Sequence, residues 1–398
     1  MRSGWTSESL VAPLSAFGPT FMAVVTCIED LRQLAKKRIP RVFYDYVDSG
    51  SWTEATYRSN EADFGAVKLR QRVAVDVSTR SQKTLMLGQQ VAMPVALAPA
   101  GFTGMMRADG EILAAQAAAE FGIPFTLSTM SICSIEDVAA HSPTPFWFQL
   151  YVMRDRELIL RLIERAKAAR CSALVLTLDL QTLGQRHKDL KNGLSAPPRL
   201  TLANLLNMAA KPRWALGMLG TRRRNFGNIV GHAEGIVDMG SLSAWTQQQF
   251  DPSLNWTDVE WVRRCWGGKL ILKGIMDAED AIQSVACGAD AIVVSNHGGR
   301  QLDGASSSIS MLPRIVRAVG PQTEVWVDGG IRSGQDVFKA LALGAKGTLI
   351  GRAFLYGLGA AGRAGVIQCL KLIRNELDIT MAMCGKRNIR EIDRSALV

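Results

Sequence analysis

The chain has 398 residues, of which 47% are hydrophobic and 21% charged, the ordinary balance of a globular protein with a large buried core. Its seven cysteines are scattered and form no CxxC pair, which argues against a disulfide framework or a metal site and indicates a reducing compartment. The formal net charge is +10, but no nucleic-acid recognition motif accompanies it, so we expect no nucleic-acid partner.

The chain is expected to begin with a disordered tail and a small helical cap. Residues 1–26 lack the basic start and clean apolar block of a signal peptide. The sequence Thr26-Cys27-Ile28-Glu29 resembles a capping box, and residues 27–75 are predicted to form an added helical cap. Residues 84–106 carry no charge, yet three glycines and two prolines interrupt them, which favours a buried strand and turn over a membrane span.

Eight short apolar runs then recur, most of them about 20–35 residues apart, a spacing that leaves room for one helix and two loops. Alternating strands and helices predict a parallel sheet, and eight such units favour a closed (β/α)8 TIM barrel. The predicted helices cover residues 109–120, 155–169, 277–287 and 333–343. The predicted strands cover residues 95–99, 125–128, 146–151, 173–179, 270–274, 291–296, 324–329 and 347–352.

A long insertion follows the fourth strand, on the side where barrel enzymes keep their active sites. Eight basic residues and a single acid, Asp189, lie between positions 187 and 230. Leucines, methionines and Trp214 accompany them, a composition typical of a segment in the interface of an anionic membrane. We therefore interpret residues 187–232 as a membrane-association segment. The alternative is an active-site lid whose apolar residues pack on the barrel.

The carboxyl ends of the predicted strands carry the residues that can do chemistry. After strands seven and eight, glycines at 329, 330 and 351 precede helices, with Arg332 and Arg352 close by, which indicates a phosphate site. His297 follows the sixth strand and precedes two glycines that allow a ligand to approach. A neutral imidazole there can accept a proton, whereas the alternative is a loop histidine held by backbone groups. Arg300 can bind a carboxylate with two parallel hydrogen bonds.

These residues resemble those of the FMN-dependent L-2-hydroxy-acid oxidising family, from about residue 27 to residue 395. The family signature is SNHGGRQLD at 295–303, supported by YDY at 44–46, WFQLYV at 147–152, LKG at 272–274, VDGGIRSG at 327–334 and LIGRAFLYG at 349–357. The sequences RQRV, MPVALAP, GIPFTLST and GRAFLYGL further resemble bacterial membrane-associated L-lactate dehydrogenases.

The resemblance implies a role for each matching residue. His297 is the catalytic base and Asp179 stabilises its protonated form. A fixed cation at Lys273, near N1 of the flavin, raises the electron affinity of the ring. The residues implied to bind the substrate are Tyr46, Tyr151, Arg186 and Arg300. The residues implied to bind FMN are Ala98, Pro99, Ala100, Ser128, Gln149, Thr177, Lys273, Ser295, Asp328, Gly329, Gly330, Arg332, Gly351 and Arg352.

Two departures from the family pattern bear on the reaction. Gln181 stands where the family often has proline, so the loop before Arg186 can differ in shape. Gly101 stands where many oxidases have a larger residue beside the ring, which favours a dehydrogenase or monooxygenase. The glycines at 357, 359 and 362 match GxGxxG, but no strand directly precedes them, so we expect no dinucleotide site there.

The expected activity is therefore oxidation of L-lactate to pyruvate, with electrons passed to a membrane quinone. The alternative is an oxygen-using oxidase or monooxygenase acting on glycolate, lactate or a mandelate-like acid. A barrel that keeps FMN only as a structural ligand is a further alternative, although His297, Arg186 and Arg300 argue against it. The resemblance also implies a homotetramer, and the basic insertion predicts peripheral attachment to the cytoplasmic side of the inner membrane.

Overall fold

The computed structural model describes residues 24–194, 201–232 and 249–398. Apart from its last three residues, the tail predicted for residues 1–26 lies outside the described residues. So do residues 195–200 within the predicted insertion. The helical cap is present and consists of α1 (Ile28–Arg38), α2 (Arg41–Val47) and α3 (Ala55–Ala62).

The first turn of α1 is capped by Asp30 rather than by the predicted Glu29. The Asp30 carboxylate accepts hydrogen bonds from the backbone N–H groups of Thr26 at 2.7 Å and Cys27 at 3.2 Å. These donors have no partner within the helix, so the carboxylate satisfies them and also faces the positive end of the helix dipole. The start of the cap was thus predicted correctly, but the capping acid was misplaced by one residue.

A hairpin and a parallel barrel follow the cap. The hairpin pairs β1 (Thr84–Met86) with β2 (Gln89–Val91), and Met86 and Val91 are buried with the residues that fill the barrel interior. The uncharged stretch at 84–106 therefore contains the predicted buried strand and turn, together with the hairpin and a short helix at Thr103–Met106. The eight barrel strands are β3 (Val95–Leu97), β4 (Thr126–Ser128), β5 (Trp147–Tyr151), β6 (Ala173–Thr177), β7 (Leu270–Ile275), β8 (Ala291–Val294), β9 (Glu324–Asp328) and β10 (Gly347–Ile350).

The strands pair in parallel in sequence order from β4 to β10, and β10 pairs with β3. The Leu97 N–H donates to the Pro124 carbonyl oxygen at 2.9 Å, immediately before β4. This contact closes the sheet into the predicted TIM barrel. Trp147 and Trp326 stack in the interior with ring centroids 5.3 Å apart, so the barrel is filled by side chains and a ligand must bind at its mouth.

The helices that surround and connect the strands alternate with them as predicted. They are α4 (Thr103–Met106), α5 (Gly110–Phe121), α6 (Ile135–His141), α7 (Arg156–Ala168), α8 (His187–Lys191), α9 (Leu202–Ala209), α10 (Pro212–Gly220), α11 (Trp256–Trp266), α12 (Ala278–Ala286), α13 (Ser308–Val319), α14 (Gly334–Ala342), α15 (Arg352–Ala361) and α16 (Arg363–Met383).

The insertion between β6 and β7 has one side on the barrel and another in solvent. The Trp214 indole N–H donates to the Met105 carbonyl at 2.8 Å, and Phe226 is buried. Arg223 pairs with Asp109 and Asp137. In contrast, neither α9 nor α10 has a fully buried residue. Their exposed apolar residues are Leu202, Leu205, Leu206, Leu216 and Leu219.

Within the described part of the chain, no helix is both long enough and apolar enough to cross a membrane. The GxGxxG glycines lie in and directly after α15, not after a strand. A Cβ at Gly357 would lie 2.4 Å from the Gly365 carbonyl oxygen, and one at Gly359 would lie 2.1 Å from a methyl of Ile39. These glycines therefore allow α15 to pack closely against α16 and α1, which explains the pattern without a dinucleotide.

Candidate active site

The carboxyl ends of the strands surround a cavity of about 290 Å³, which the cap and the insertion also line. Most of the predicted site residues face it. Five predicted residues do not line the cavity; they either contact residues that line it or lie on the same strand ends. These are Ser128, Gln149, Thr177, Asp179 and Ser295. The predicted residues in the lining are Tyr46, Ala98, Pro99, Ala100, Tyr151, Arg186, Lys273, His297, Arg300, Asp328, Gly329, Gly330, Arg332, Gly351 and Arg352.

His297 and Asp179 form a close pair at the mouth of the barrel. Nδ1 of His297 lies 2.8 Å from Oδ1 of Asp179, which fixes the ring and leaves Nε2 to face a ligand. Gly274 makes room for this pair, since a Cβ there would lie 2.7 Å from Cγ of Asp179. His297 itself has a φ of 58°, a conformation that is costly for a residue with a side chain and is concentrated at functional sites.

The electrostatics of the pair keep the imidazole neutral and the carboxylate ionised. Burial lowers the pKa of His297 below its ordinary value, and Asp179 only partly opposes this effect. Burial raises the pKa of Asp179, but the charge that His297 carries when protonated at low pH, its hydrogen bond and the charge of Lys273 outweigh burial, and the pKa is lowered. A neutral imidazole with an ionised carboxylate behind it is the arrangement of a general base.

Lys273 is a buried cation held by two partners. Its Nζ lies 3.0 Å from Oδ2 of Asp328 and 3.0 Å from Oγ of Ser295. Burial lowers the pKa of Lys273, but attraction to Asp328 and Asp179 raises it by more. The pKa therefore lies above its ordinary value, and the ammonium keeps its charge. The Ser295 hydroxyl also accepts the His297 backbone N–H at 3.1 Å. One network thus connects the fixed cation with the loop that carries the base.

Two buried polar atoms at neighbouring strand ends have no partner in the described structure, Nε2 of Gln149 and Oγ1 of Thr177. The other end of the Gln149 amide is fixed, because its Oε1 accepts from Ser128 at 3.1 Å. Unsatisfied buried polar groups are rare unless a ligand completes them. An oriented donor beside a hydroxyl fits the polar edge of the FMN ring implied by the resemblance.

The predicted phosphate site consists mainly of backbone. Gly329 and Gly330 have φ values of 110° and 82°, and Gly351 precedes α15, whose N-terminus favours an anion. The neighbouring arginines are engaged by protein groups. Arg332 pairs with Glu61 at 2.7 Å. Arg352 donates to the carbonyls of Val47, Gly298 and Ser49.

The same contacts give the glycines of the histidine loop a second role besides the predicted one. A Cβ at Gly298 would lie 2.7 Å from Nη1 of Arg352, and one at Gly299 would lie 2.4 Å from the Tyr57 nitrogen. We expected these glycines to admit a ligand. Gly298 lines the cavity, so ligand approach stays a prediction. Both glycines also make room for Arg352 and the cap helix α3, which together fix the loop that carries His297.

Arg186 and Arg300, termed the carboxylate clamp below, lie side by side in the cavity. Nη1 of Arg300 donates to the Tyr46 carbonyl and to Oγ of Ser49, and its guanidinium stacks 4.6 Å from the Tyr46 ring centroid. Its Nη2 is buried without a hydrogen-bond partner in the described structure. Burial raises the pKa of the Tyr151 hydroxyl, which therefore stays protonated and can donate.

Sequence reasoning missed several residues of this site. Asp189 was noticed only as the one acid of the basic segment, yet it lies in the cavity beside both clamp arginines. Ser49 holds Arg300. Phe102, Met130, Phe226 and Phe250 form an apolar wall. Spacing alone gave no signal for the wall, because its members come from three loops that only the fold brings together.

The chain is similar to known proteins over most of its length. A profile of FMN-dependent dehydrogenases matches residues 35–398. The chain is 46% identical over 379 residues to an L-lactate dehydrogenase of Caulobacter vibrioides, covering 94% of this chain and 98% of that one. It is 45% identical over 380 residues to an L-lactate dehydrogenase of Pseudomonas syringae pv. syringae, covering 94% and 99%.

Among solved structures, the chain is similar to the monotopic membrane protein (S)-mandelate dehydrogenase, with a TM-score of 0.89 and 37% identity over 94% of this chain and 99% of that one. A mandelate oxidase gives a TM-score of 0.78 and 35% identity over 92% and 96%. The profile match and these relatives span nearly the whole described barrel, its cap and its mouth. The chain therefore belongs to the FMN-dependent dehydrogenase family.

Proposed function

We propose that this chain uses FMN to oxidise L-lactate to pyruvate and passes the electrons to a quinone at a membrane surface. The observation that carries the proposal is the pairing of His297 with Asp179 beside two partly buried arginines that line the same cavity as His297. The unpartnered amide of Gln149 lies on a strand end of the same barrel mouth. The L-lactate dehydrogenases among the relatives support lactate as the substrate.

The side chains divide the work on the substrate. Nη2 of Arg300 and the guanidinium of Arg186 bind the carboxylate, and charge-assisted hydrogen bonds from arginine give it a defined orientation. The hydroxyls of Tyr46 and Tyr151 donate to substrate oxygens. Nε2 of His297 accepts a proton from the substrate, and Asp179 stabilises the imidazolium that forms.

FMN, when bound, supplies the acceptor of two electrons. Backbone at Ala98–Ala100, with the amide of Gln149 and the hydroxyls of Thr177 and Ser128, would hold its ring. Lys273, kept charged by Asp328, would place a cation at the ring edge. The backbone of Gly329, Gly330 and Gly351 would hold the phosphate, with Arg332 and Arg352 adding positive charge nearby.

The domain organisation follows from this assignment. We propose that residues 27–398 form one FMN-binding barrel domain in which the insertion at 187–232 attaches the protein to a membrane. The exposed leucines of α9 and α10 support attachment, as does the similarity to a monotopic membrane enzyme. We further propose that the protein attaches to the cytoplasmic face of the inner membrane. We also propose that it forms a homotetramer, which rests on the family resemblance alone.

A larger substrate is the second candidate, because the cavity has an apolar wall made of Phe102, Met130, Phe226 and Phe250. Such a wall suits an aromatic side chain better than the methyl group of lactate. The solved relatives named for mandelate agree with this alternative.

A flavin-bleaching experiment tests both candidates. The purified holoenzyme is mixed anaerobically with L-lactate, glycolate and (S)-mandelate, and flavin absorbance is followed in time. We expect the fastest bleaching with L-lactate, while faster bleaching with (S)-mandelate would support the second candidate. Under air, reduction of a soluble quinone without stoichiometric peroxide supports the quinone acceptor. Rapid peroxide formation without quinone reduction would identify an oxygen-using oxidase instead.

A further inference from the structure

Asp189 is a buried carboxylate that lies between the two clamp arginines. It belongs to α8, three residues after Arg186, and only 6% of its surface is exposed. Its Oδ2 lies 3.6 Å from Nη1 of Arg186 and 4.0 Å from Nη2 of Arg300. Both distances are longer than a hydrogen bond but short enough for strong attraction between opposite charges where water is excluded.

The two arginines differ in how firmly other groups hold them. Arg300 donates to Tyr46 and Ser49 and stacks on the Tyr46 ring. Arg186 has one long hydrogen bond, from Nε to the Arg300 carbonyl at 3.4 Å. Apart from this bond, Asp189 is the attractive partner of the Arg186 guanidinium among the described residues. The position of Arg186 therefore depends on Asp189 much more than that of Arg300 does.

Two neighbouring cations in a buried site repel each other. Burial lowers the pKa of Arg300 to about 10, and the charge of Arg186 lowers it as well, whereas Asp189 opposes the shift. Without a negative charge between them, Arg186 would gain free energy by turning toward solvent. Asp189 itself is costly to bury, since burial raises its pKa and its Oδ1 has no hydrogen-bond partner in the described structure. A carboxylate in such a place is poorly explained as a stabiliser of the fold.

We propose that Asp189 is a positioning residue that holds Arg186 beside Arg300, so that both guanidinium groups bind one substrate carboxylate. The inference rests on the proposed function, in which these arginines form the carboxylate clamp. Asp189 then has two effects of opposite sign. It improves substrate binding by placing Arg186, and it weakens binding slightly because its own negative charge repels the substrate anion.

The two effects can be separated by a double-mutant cycle with Asp189→Asn and Arg186→Ala. The probe is 2-hydroxy-2-methylpropanoate, a 2-hydroxy acid that lacks the hydrogen removed in oxidation, and its Kd is measured by calorimetry on each FMN-loaded protein. With Arg186 present, we expect Asp189→Asn to weaken binding about tenfold, within the usual range for coupled neighbours. In the Arg186→Ala background, the same change should leave Kd unchanged or tighten it, because Tyr46 and Ser49 still hold Arg300 and the repulsion of the substrate is removed.

Equal weakening in both backgrounds, or no weakening when Arg186 is present, would overturn the proposal. A general structural effect is checked with Asp290→Asn. Asp290 also contacts two cations, Arg263 and Lys269, but near the start of β7 and far from the cavity. This control should lower the melting temperature without changing Kd for the probe.

The same measurements distinguish failure of this proposal from failure of the proposed function. If Arg186→Ala alone leaves the Kd of the probe unchanged, the carboxylate clamp is wrong and the role of Asp189 is wrong with it. If Arg186→Ala weakens binding but Asp189→Asn does not, the clamp stands and only the role of Asp189 is refuted. Kinetics with L-lactate should agree, with a raised KM for Asp189→Asn and kcat changed by no more than about threefold.

Discussion

At the scale of single residues, the chemistry depends on keeping three charges in place around one neutral base. His297 is neutral because burial disfavours its protonation, while Asp179 behind it stays ionised. Lys273 keeps its charge because Asp328 lies 3.0 Å away. A neutral base beside fixed charges can accept a proton and have the resulting imidazolium stabilised at once, without rearrangement of the site.

His297→Gln tests the base directly. Glutamine retains a polar side chain but cannot accept the proton at neutral pH, so we expect FMN to stay bound and the rate of flavin reduction to fall by about 10²–10⁴-fold. The measurement is stopped-flow absorbance with saturating L-lactate. His141→Gln, an exposed change in α6, is the matched control and should reduce at the normal rate. A normal rate of flavin reduction in His297→Gln would show that His297 is not the catalytic base.

The pH dependence of kcat/KM tests the electrostatics of the same pair. The reaction needs neutral His297, and burial lowers its pKa below the ordinary value of about 6.5. Activity should therefore be complete at pH 7 and fall only below about pH 6.5 as the imidazole becomes protonated. Asp179→Asn removes the charge that opposes burial, so the fall should move to still lower pH and kcat should decrease. An acid limb above pH 7 in the unmodified enzyme would contradict this account.

Arg300→Lys tests the geometry of the clamp. Nη1 of Arg300 is committed to Tyr46 and Ser49, and Nη2 is left for the substrate. Lysine has one nitrogen and cannot serve both. We expect KM for L-lactate to rise by about tenfold or more while the flavin content is unchanged. A KM equal to that of the unmodified enzyme would show that the carboxylate binds elsewhere.

At the scale of secondary-structure elements, the insertion has features of both interpretations that its sequence left open, an active-site lid and a membrane-association segment. Trp214 and Phe226 pack on the barrel side, as a lid would. The leucines of α9 and α10 face solvent, as a membrane-binding segment would. Part of the basic excess has a structural partner, since Arg223 pairs with Asp109 and Asp137. Deleting the whole segment would therefore also expose part of the barrel.

A sharper change replaces only the exposed leucines. We expect a variant with Leu202→Ser, Leu206→Ser, Leu216→Ser and Leu219→Ser to stop sedimenting with vesicles that contain anionic lipid. Each leucine removed takes away about 1.5–3 kcal/mol of favourable free energy from burying its side chain in the membrane. Oxidation of L-lactate with a soluble dye acceptor should stay within about twofold of normal, since none of these residues lines the cavity. Continued sedimentation of this variant would exclude α9 and α10 as the attachment surface.

At the scale of the whole molecule, the sequence predicted what depends on order along the chain. All eight strands lie where the apolar runs predicted them, because burial inside a parallel barrel demands such runs. The residues that follow the strands converge because the carboxyl ends of parallel strands meet at one end of the barrel. The contacts between cap and barrel could not be predicted. Ser49 and Val47 hold Arg300 and Arg352 across more than 250 residues of chain, and no local pattern encodes such a pairing.

Asp48 joins the three helices of the cap to one another and to α15 of the barrel. Its buried carboxylate accepts hydrogen bonds from the hydroxyls of Tyr44 at 2.9 Å, Tyr57 at 3.1 Å and Tyr356 at 2.7 Å, and it pairs with Arg32 at 2.9 Å. Burial raises its pKa, but these partners outweigh burial and lower it to about 2. Because the pKa is lower in the folded state, its contribution to stability is complete above about pH 4, the unfolded value, and is lost as the pH falls toward 2.

Asp48→Ala should consequently lower the free energy of unfolding by about 3 kcal/mol or more at pH 7, since it leaves three buried hydroxyls and Arg32 without their acceptor. Denaturant unfolding at pH 7 and pH 3 measures the effect, and the difference between variant and parent should shrink at the lower pH. Asp378→Ala is the control, because its pairing with Arg80 is partly exposed and should contribute less than about 1 kcal/mol. Equal losses of unfolding free energy for the two variants would mean that the interactions of Asp48 stabilise the fold no more than a partly exposed ion pair does. A larger loss for Asp48 would show that one buried carboxylate, which joins the three cap helices to α15 of the barrel, makes a large contribution to the stability of the fold.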